Sequence, residues 1–152
     1  MFRQVLVPVD FGVCSVHAAY HACDLVRAIG GSLTLLHVLE GGPANAEEAL
    51  RAESRLRQLA GRSRRPAHIL VEPGQGRPVA QVILAVAARV GAELLVLGPH
   101  GGPDPSVRRL GRVATEVLLN THLPVQLVPG GWLGTSGPGA RWRALAAGGH
   151  DA

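Results

Sequence analysis

The chain has 152 residues, 47% of them hydrophobic and 3% aromatic, with a net charge of +4. That is enough chain for one domain with an aliphatic core, and it excludes an intrinsically disordered protein. The chain has no lysine, which excludes a Walker A phosphate loop, and its scattered arginines with few stacking aromatics argue against a nucleic-acid partner.

Gln4-Val5-Leu6-Val7-Pro8-Val9 is a short β-branched run and predicts a buried parallel strand ending at Asp10. Met1-Phe2-Arg3-Gln4 leads straight into it and shows no signal-peptide h-region with a cleavage site, and no apolar run is long enough to span a bilayer. The expectation is a cytoplasmic protein with no membrane insertion. A helix follows to about Ile29, with Ser15 as N-cap, an apolar face that includes Ala18, Ala22 and Val26, and a stop at Gly30-Gly31. If Cys14 and Cys23 both lie on one helix, they are about 13 Å apart along its axis, too far for a disulfide, and reduced thiols are expected. Cys14, His17 and His21 would share one face of this helix, the two histidines at metal-ligand spacing, but no fourth ligand is evident and a surface or interface role is expected.

Ser32 to Leu39 predicts the second strand, and residues 46–61 a charged amphipathic helix. Its Glu47–Arg51 and Glu53–Arg57 pairs have the favourable orientation of a solvated outer face. The third strand is expected at Ala67 to Glu72, a helix from Pro78 to about Val90, and a fourth strand at Ala92 to Leu97. A glycine-rich segment, Gly98 to Gly111, leads into a last helix ending near Asn120. Pro124 to Val128 forms the fifth strand. Beyond Pro129 the composition turns to Gly, Ser, Pro and Ala. The expected organisation is a domain at 1–129 and a flexible tail at 130–152, with Trp132 and Trp142 as its docking side chains if it has a partner.

Strands alternating with helices predict an α/β fold, a doubly wound five-stranded parallel sheet. Such sheets bind ligands outside the carboxyl ends of their strands, where strand order reverses. Asp10 ends strand 1 there, and the glycine segment leaves strand 4 there. Its spacing is G-x2-G-x9-G, through Gly98, Gly101 and Gly111. Glycines let backbone amides approach a phosphate, and a helix N-terminus favours the anion.

Val7-Pro8-Val9-Asp10, His37-Val38 and the G-x2-G-x9-G segment together resemble the universal stress protein family, over Arg3 to about Pro129. The resemblance implies strand order 3-2-1-4-5 in an adenine nucleotide alpha hydrolase-like fold, with a site for ATP or AMP. Pro8 and Val9 would line the base pocket, and Asp10 would accept from the ribose or sit beside the adenine. Val38 would offer backbone groups to the base. Gly98, His100, Gly101 and Gly111 would wrap ribose and phosphates, with Arg112 and Val113 opening the helix beside them.

The family pattern has Ser or Thr after the last glycine; this chain has Arg112. The arginine would pair with a phosphate, occupy the phosphate pocket, or swing to solvent. Mg²⁺ stays open, because no carboxylate cluster accompanies the loop, and no nucleophile–base–acid set is evident. The implied role is a stress-response or signalling module that binds nucleotide with at most slow ATP hydrolysis. The alternative is a nucleotide-free dimeric interaction protein of the same fold. The resemblance also implies a homodimer through Val125 to Val128, besides a protein partner of unknown identity.

Overall fold

The computed structural model describes residues 3–43, 45–102 and 109–130. The tail with Trp132 and Trp142, and the middle of the glycine segment with Asp104, lie outside the described residues.

Five parallel strands form one sheet in the order β3-β2-β1-β4-β5. They are β1 (Gln4–Pro8), β2 (Ser32–Leu39), β3 (Ala67–Pro73), β4 (Leu94–Leu97) and β5 (Val125–Leu127). The helices between them are α1 (Val13–Ile29), α2 (Ala46–Ala60), α3 (Val79–Arg89) and α4 (Arg112–Asn120). Both the fold class and the strand order are as expected from the sequence. The chain builds outward from β1 through β2 to β3, then returns to β1's other side for β4 and β5. The strand order therefore reverses between β1 and β4, and a crevice opens beyond their carboxyl ends.

The pleat sends alternate side chains to opposite faces. Val5, Val7 and Val9 pack with Leu33 and Leu35 of β2 against α1 and α2. Leu6 packs with Leu36 and Val38 against α3 and α4. A strand covered on both faces needs apolar residues at every position, which is why β1 and β4 read as unbroken apolar runs. On α1 the buried face carries Ala18, Ala19 and Ala22, small enough to let the helix lie close to the sheet. Gly30, at φ +76°, closes the helix by donating its N–H to Val26 O.

The first cap differs from expectation. Gly12, not Ser15, caps α1, and its carbonyl accepts from Val16 N–H at 3.0 Å. Ser15 is already inside the helix and turns its hydroxyl back to the Asp10 carboxylate at 2.7 Å. Its oxygen accepts from Asp10 N–H at 3.2 Å, on the strand side, instead of from an amide of the helix's first turn. On α2 the cap is Asn45, whose side chain accepts from Glu47 N–H at 2.9 Å. The Glu47–Arg51 and Glu53–Arg57 pairs form on its solvated face, as their spacing predicts.

No disulfide joins Cys14 and Cys23, both buried on α1. Burial, with Asp24 alongside, pushes the Cys23 thiol up to about 11. Its ionised form is disfavoured in the folded state, so the associated stability is intact below about pH 9 and falls as pH rises toward about 11. At pH 8 the thiolate fraction is about 100-fold below that of an ordinary thiol, because each pKa unit changes it about tenfold. Mass-mapped alkylation at pH 8 should therefore label Cys23 in native protein about 100-fold more slowly than in urea.

Candidate functional site

Three connections meet at the crevice. The first is the turn from β1 into α1. Gly12 N–H and the Ser15 hydroxyl both donate to Asp10 Oδ1, at 2.8 and 2.7 Å, and Asp10 N–H donates to Ser15 Oγ at 3.2 Å. Phe11, between them, has φ +65°, a left-handed conformation unusual for a bulky residue. Its ring is held against His37, centroids 4.7 Å apart, with the Arg55 guanidinium 3.9 Å from its centre. His37 in turn donates from Nδ1 to Val9 O at 2.7 Å, tying the ends of β1 and β2 together.

The second connection leaves β2, where Val38 points toward α3 and Glu40 stands exposed just beyond the strand. The third leaves β4. Its glycines have a different physical reason from the one the spacing suggests. An added Cβ at Gly98 would lie 2.8 Å from the Cys14 carbonyl carbon and 2.9 Å from Ser15 N. At Gly101 it would lie 2.8 Å from Asp10 Oδ2, and at Gly111 3.0 Å from His100 Cα. The glycines let the third connection lie directly on the first and on itself. Gly111 N–H is already bonded to Pro99 O at 2.7 Å. Gly111 caps α4 without a side chain, and among the described residues no side chain caps the amides of the helix's first turn.

His100 is 8% exposed. Its Nδ1 donates to Gly101 O at 3.0 Å, and its Nε2 lies 3.6 Å from Cys14 Sγ. Both ring nitrogens are thus engaged by α1 and the loop. Arg112 is expected in one of three positions, and the structure has it in the third. Its side chain is 86% exposed and pairs with Glu116 at 3.0 Å, one turn along α4, so it does not fill the crevice.

All ten residues that the sequence singles out line one cleft of ≈ 260 Å³: Pro8, Val9, Asp10, Val38, Gly98, His100, Gly101, Gly111, Arg112 and Val113. Leu36, Val79, Ile83 and Leu97 complete its apolar wall. Sequence reasoning missed Ser15, His37 and Glu40 as parts of the lining. Glu40 had a signal, since it directly follows a strand's carboxyl end. Ser15 had none beyond its place as a presumed cap.

A family model described as the universal stress protein family matches residues 1–129. A curated universal stress protein of Methanocaldococcus jannaschii is 26% identical over 143 residues, 84% of this chain and 82% of that one. Among solved structures, a universal stress protein of Archaeoglobus fulgidus in complex with dAMP is 24% identical with a TM-score of 0.63, covering 84% of this chain and 98% of that one. Another universal stress protein, in complex with cAMP, is 19% identical with a TM-score of 0.66, covering 85% and 98%.

Proposed function

This chain belongs to the universal stress protein family, and from that premise we propose that its cleft binds an adenine nucleotide, AMP or ATP, as a signalling module rather than for turnover. The observation that carries the reading is the polarity of the cleft. One wall is apolar, as a base requires, through Pro8, Val9, Leu36, Val38 and Ile83. The cleft is also lined by the Asp10 carboxylate, whose Oδ2 has no hydrogen-bond partner among the described residues. Near it, through the contact of Gly111 with His100 and Gly101, lies the N-terminus of α4. Base, sugar hydroxyl and phosphate each need one of these three environments. Two relatives of the same fold hold dAMP and cAMP, which supports the reading.

In this reading Arg112 meets a phosphate from outside the cleft, after exchanging its Glu116 pair for the stronger charge of the ligand. The alternative of a nucleotide-free protein with Arg112 in the site gains no support from a side chain turned to Glu116. Among the described residues no three His, Cys, Asp or Glu side chains converge, and the reading assigns no residue to Mg²⁺. The signalling role would pass nucleotide occupancy to a partner protein in the cytoplasm, with a homodimer formed through the edge strand at Val125 to Val128. Residues 130–152 would form a tail outside the binding domain.

Protein purified without added nucleotide and then denatured should release AMP or ATP detectable by mass spectrometry. Emptied protein should melt several degrees higher in millimolar AMP or ATP. Absence of both released nucleotide and thermal shift would overturn the reading.

A further inference from the structure

We propose that Ser15 is a positioning residue that makes the cleft choose its ligand by a sugar hydroxyl, because it fixes which oxygen of Asp10 faces the ligand. The inference rests on the nucleotide reading above and adds a selectivity to it.

The geometry is a closed ring of three groups. Asp10 N–H donates to Ser15 Oγ at 3.2 Å, and the Ser15 hydroxyl has two acceptors in reach, Asp10 Oδ1 at 2.7 Å and Gly12 O at 3.1 Å, of which the nearer, charged Asp10 Oδ1 takes its proton. Gly12 N–H donates to the same oxygen at 2.8 Å. A carboxylate oxygen has two acceptor positions, so Oδ1 is fully used. Oδ2 is what remains. It lies beside Gly101 on the cleft loop, 2.8 Å from the point where a Cβ on that residue would sit, and it has no other partner among the described residues. Ser15 itself is 6% exposed and held inside α1, so water competes poorly for its hydroxyl.

The consequence is chemical. An ionised carboxylate oxygen accepts a hydrogen bond and repels a phosphate. A fixed Oδ2 therefore receives a neutral donor, a sugar hydroxyl, and leaves the phosphate to the α4 end of the cleft. A ligand with no sugar hydroxyl to give leaves that acceptor unpaired once it is covered. Sites built to hydrogen-bond a hydroxyl reject analogues lacking it more strongly than apolar pockets reject size changes. Without Ser15 the carboxylate keeps only the Gly12 amide. It can then turn about its last torsion and present either oxygen, so the preference for a hydroxyl-bearing sugar weakens.

Calorimetric titration of the full chain with AMP and with 2′,3′-dideoxy-AMP tests this. Wild-type protein should bind AMP about tenfold more tightly than the dideoxy ligand. Ser15→Ala should narrow that ratio several-fold by weakening AMP more than dideoxy-AMP. Ser15→Thr, which keeps the hydroxyl, should restore the ratio, and circular dichroism checks that each variant is folded. Equal weakening of both ligands in Ser15→Ala would mean a merely structural serine and would overturn the proposal. Wild-type protein binding both ligands equally would overturn it too, while leaving the nucleotide reading intact. Wild-type protein binding neither would overturn both.

Discussion

Gly98→Ala is expected to destabilise the protein by about 3 kcal/mol, the upper end of ordinary overpacking penalties. The new methyl would meet the Cys14 carbonyl carbon at 2.8 Å, Cys14 Cβ at 2.9 Å and Ser15 N at 2.9 Å. These are mostly backbone atoms in the first turns of α1, which cannot swing aside as a side chain could. Either α1 or the end of β4 must move, and both belong to the buried core through Ala18 and Val96. Urea unfolding should report the loss, with a melting temperature lower by on the order of 10 °C. Gly61→Ala is the control. Gly61 has ordinary right-handed helical angles, φ −61° and ψ −17°, and its added Cβ would find only ordinary contact at 3.4 Å. That variant should stay within about 0.5 kcal/mol of wild type. If Gly98→Ala were equally neutral, the close approach of the loop to α1 would be wrong.

Gly101→Ala should separate binding from stability. Its methyl would lie 2.8 Å from Asp10 Oδ2, the oxygen that the proposed function leaves for the ligand. Here the obstacle is a side chain, so the fold can yield by turning the carboxylate. Turning it breaks the Gly12 and Ser15 hydrogen bonds to Oδ1 or buries Oδ2 against the new methyl. Either way the ligand loses a charge-assisted hydrogen bond, worth about 1.5–3 kcal/mol. Nucleotide affinity should fall roughly 10- to 100-fold, while unfolding shifts by about 1 kcal/mol. Unchanged affinity would show that Asp10 Oδ2 is not the ligand's acceptor. The two variants sit three residues apart in one loop and should fail in different ways, because one glycine faces backbone and the other a side chain.

Much of the molecule was legible in the sequence. The strands β1, β2 and β4 are buried on both faces, and this forces apolar residues at successive positions that no helix period explains. Gly30 stops α1 where a left-handed residue was needed. The spacing of Glu47 with Arg51 placed both on the solvated side of α2. Asp10, Val38, Gly98 and Gly111, far apart in sequence, were grouped by a resemblance rather than by any local rule. The structure brings their side chains or backbones to one cleft.

Ser15 shows where local reading ended. A serine near a helix start reads as a cap, because its nearest neighbours are the helix amides. The fold supplied another partner, the Asp10 carboxylate, brought back by the left-handed turn at Phe11. His100 behaved likewise. A histidine between glycines reads as a ligand contact, yet its ring nitrogens are taken by Gly101 and by Cys14, 86 residues earlier in the chain. The position of Arg112 had a local signal that went unused, since Glu116 stands at i+4 on the same predicted helix.

The sequence by itself determined the order and type of the elements, since periodicity and breakers act over a few residues. It also determined that a glycine-rich loop leaves β4. Only the tertiary structure decided what those glycines are for. Their missing side chains matter because α1, the β1 turn and the loop are stacked within van der Waals contact. Contacts between segments nearly a hundred residues apart carry no local signal in the chain.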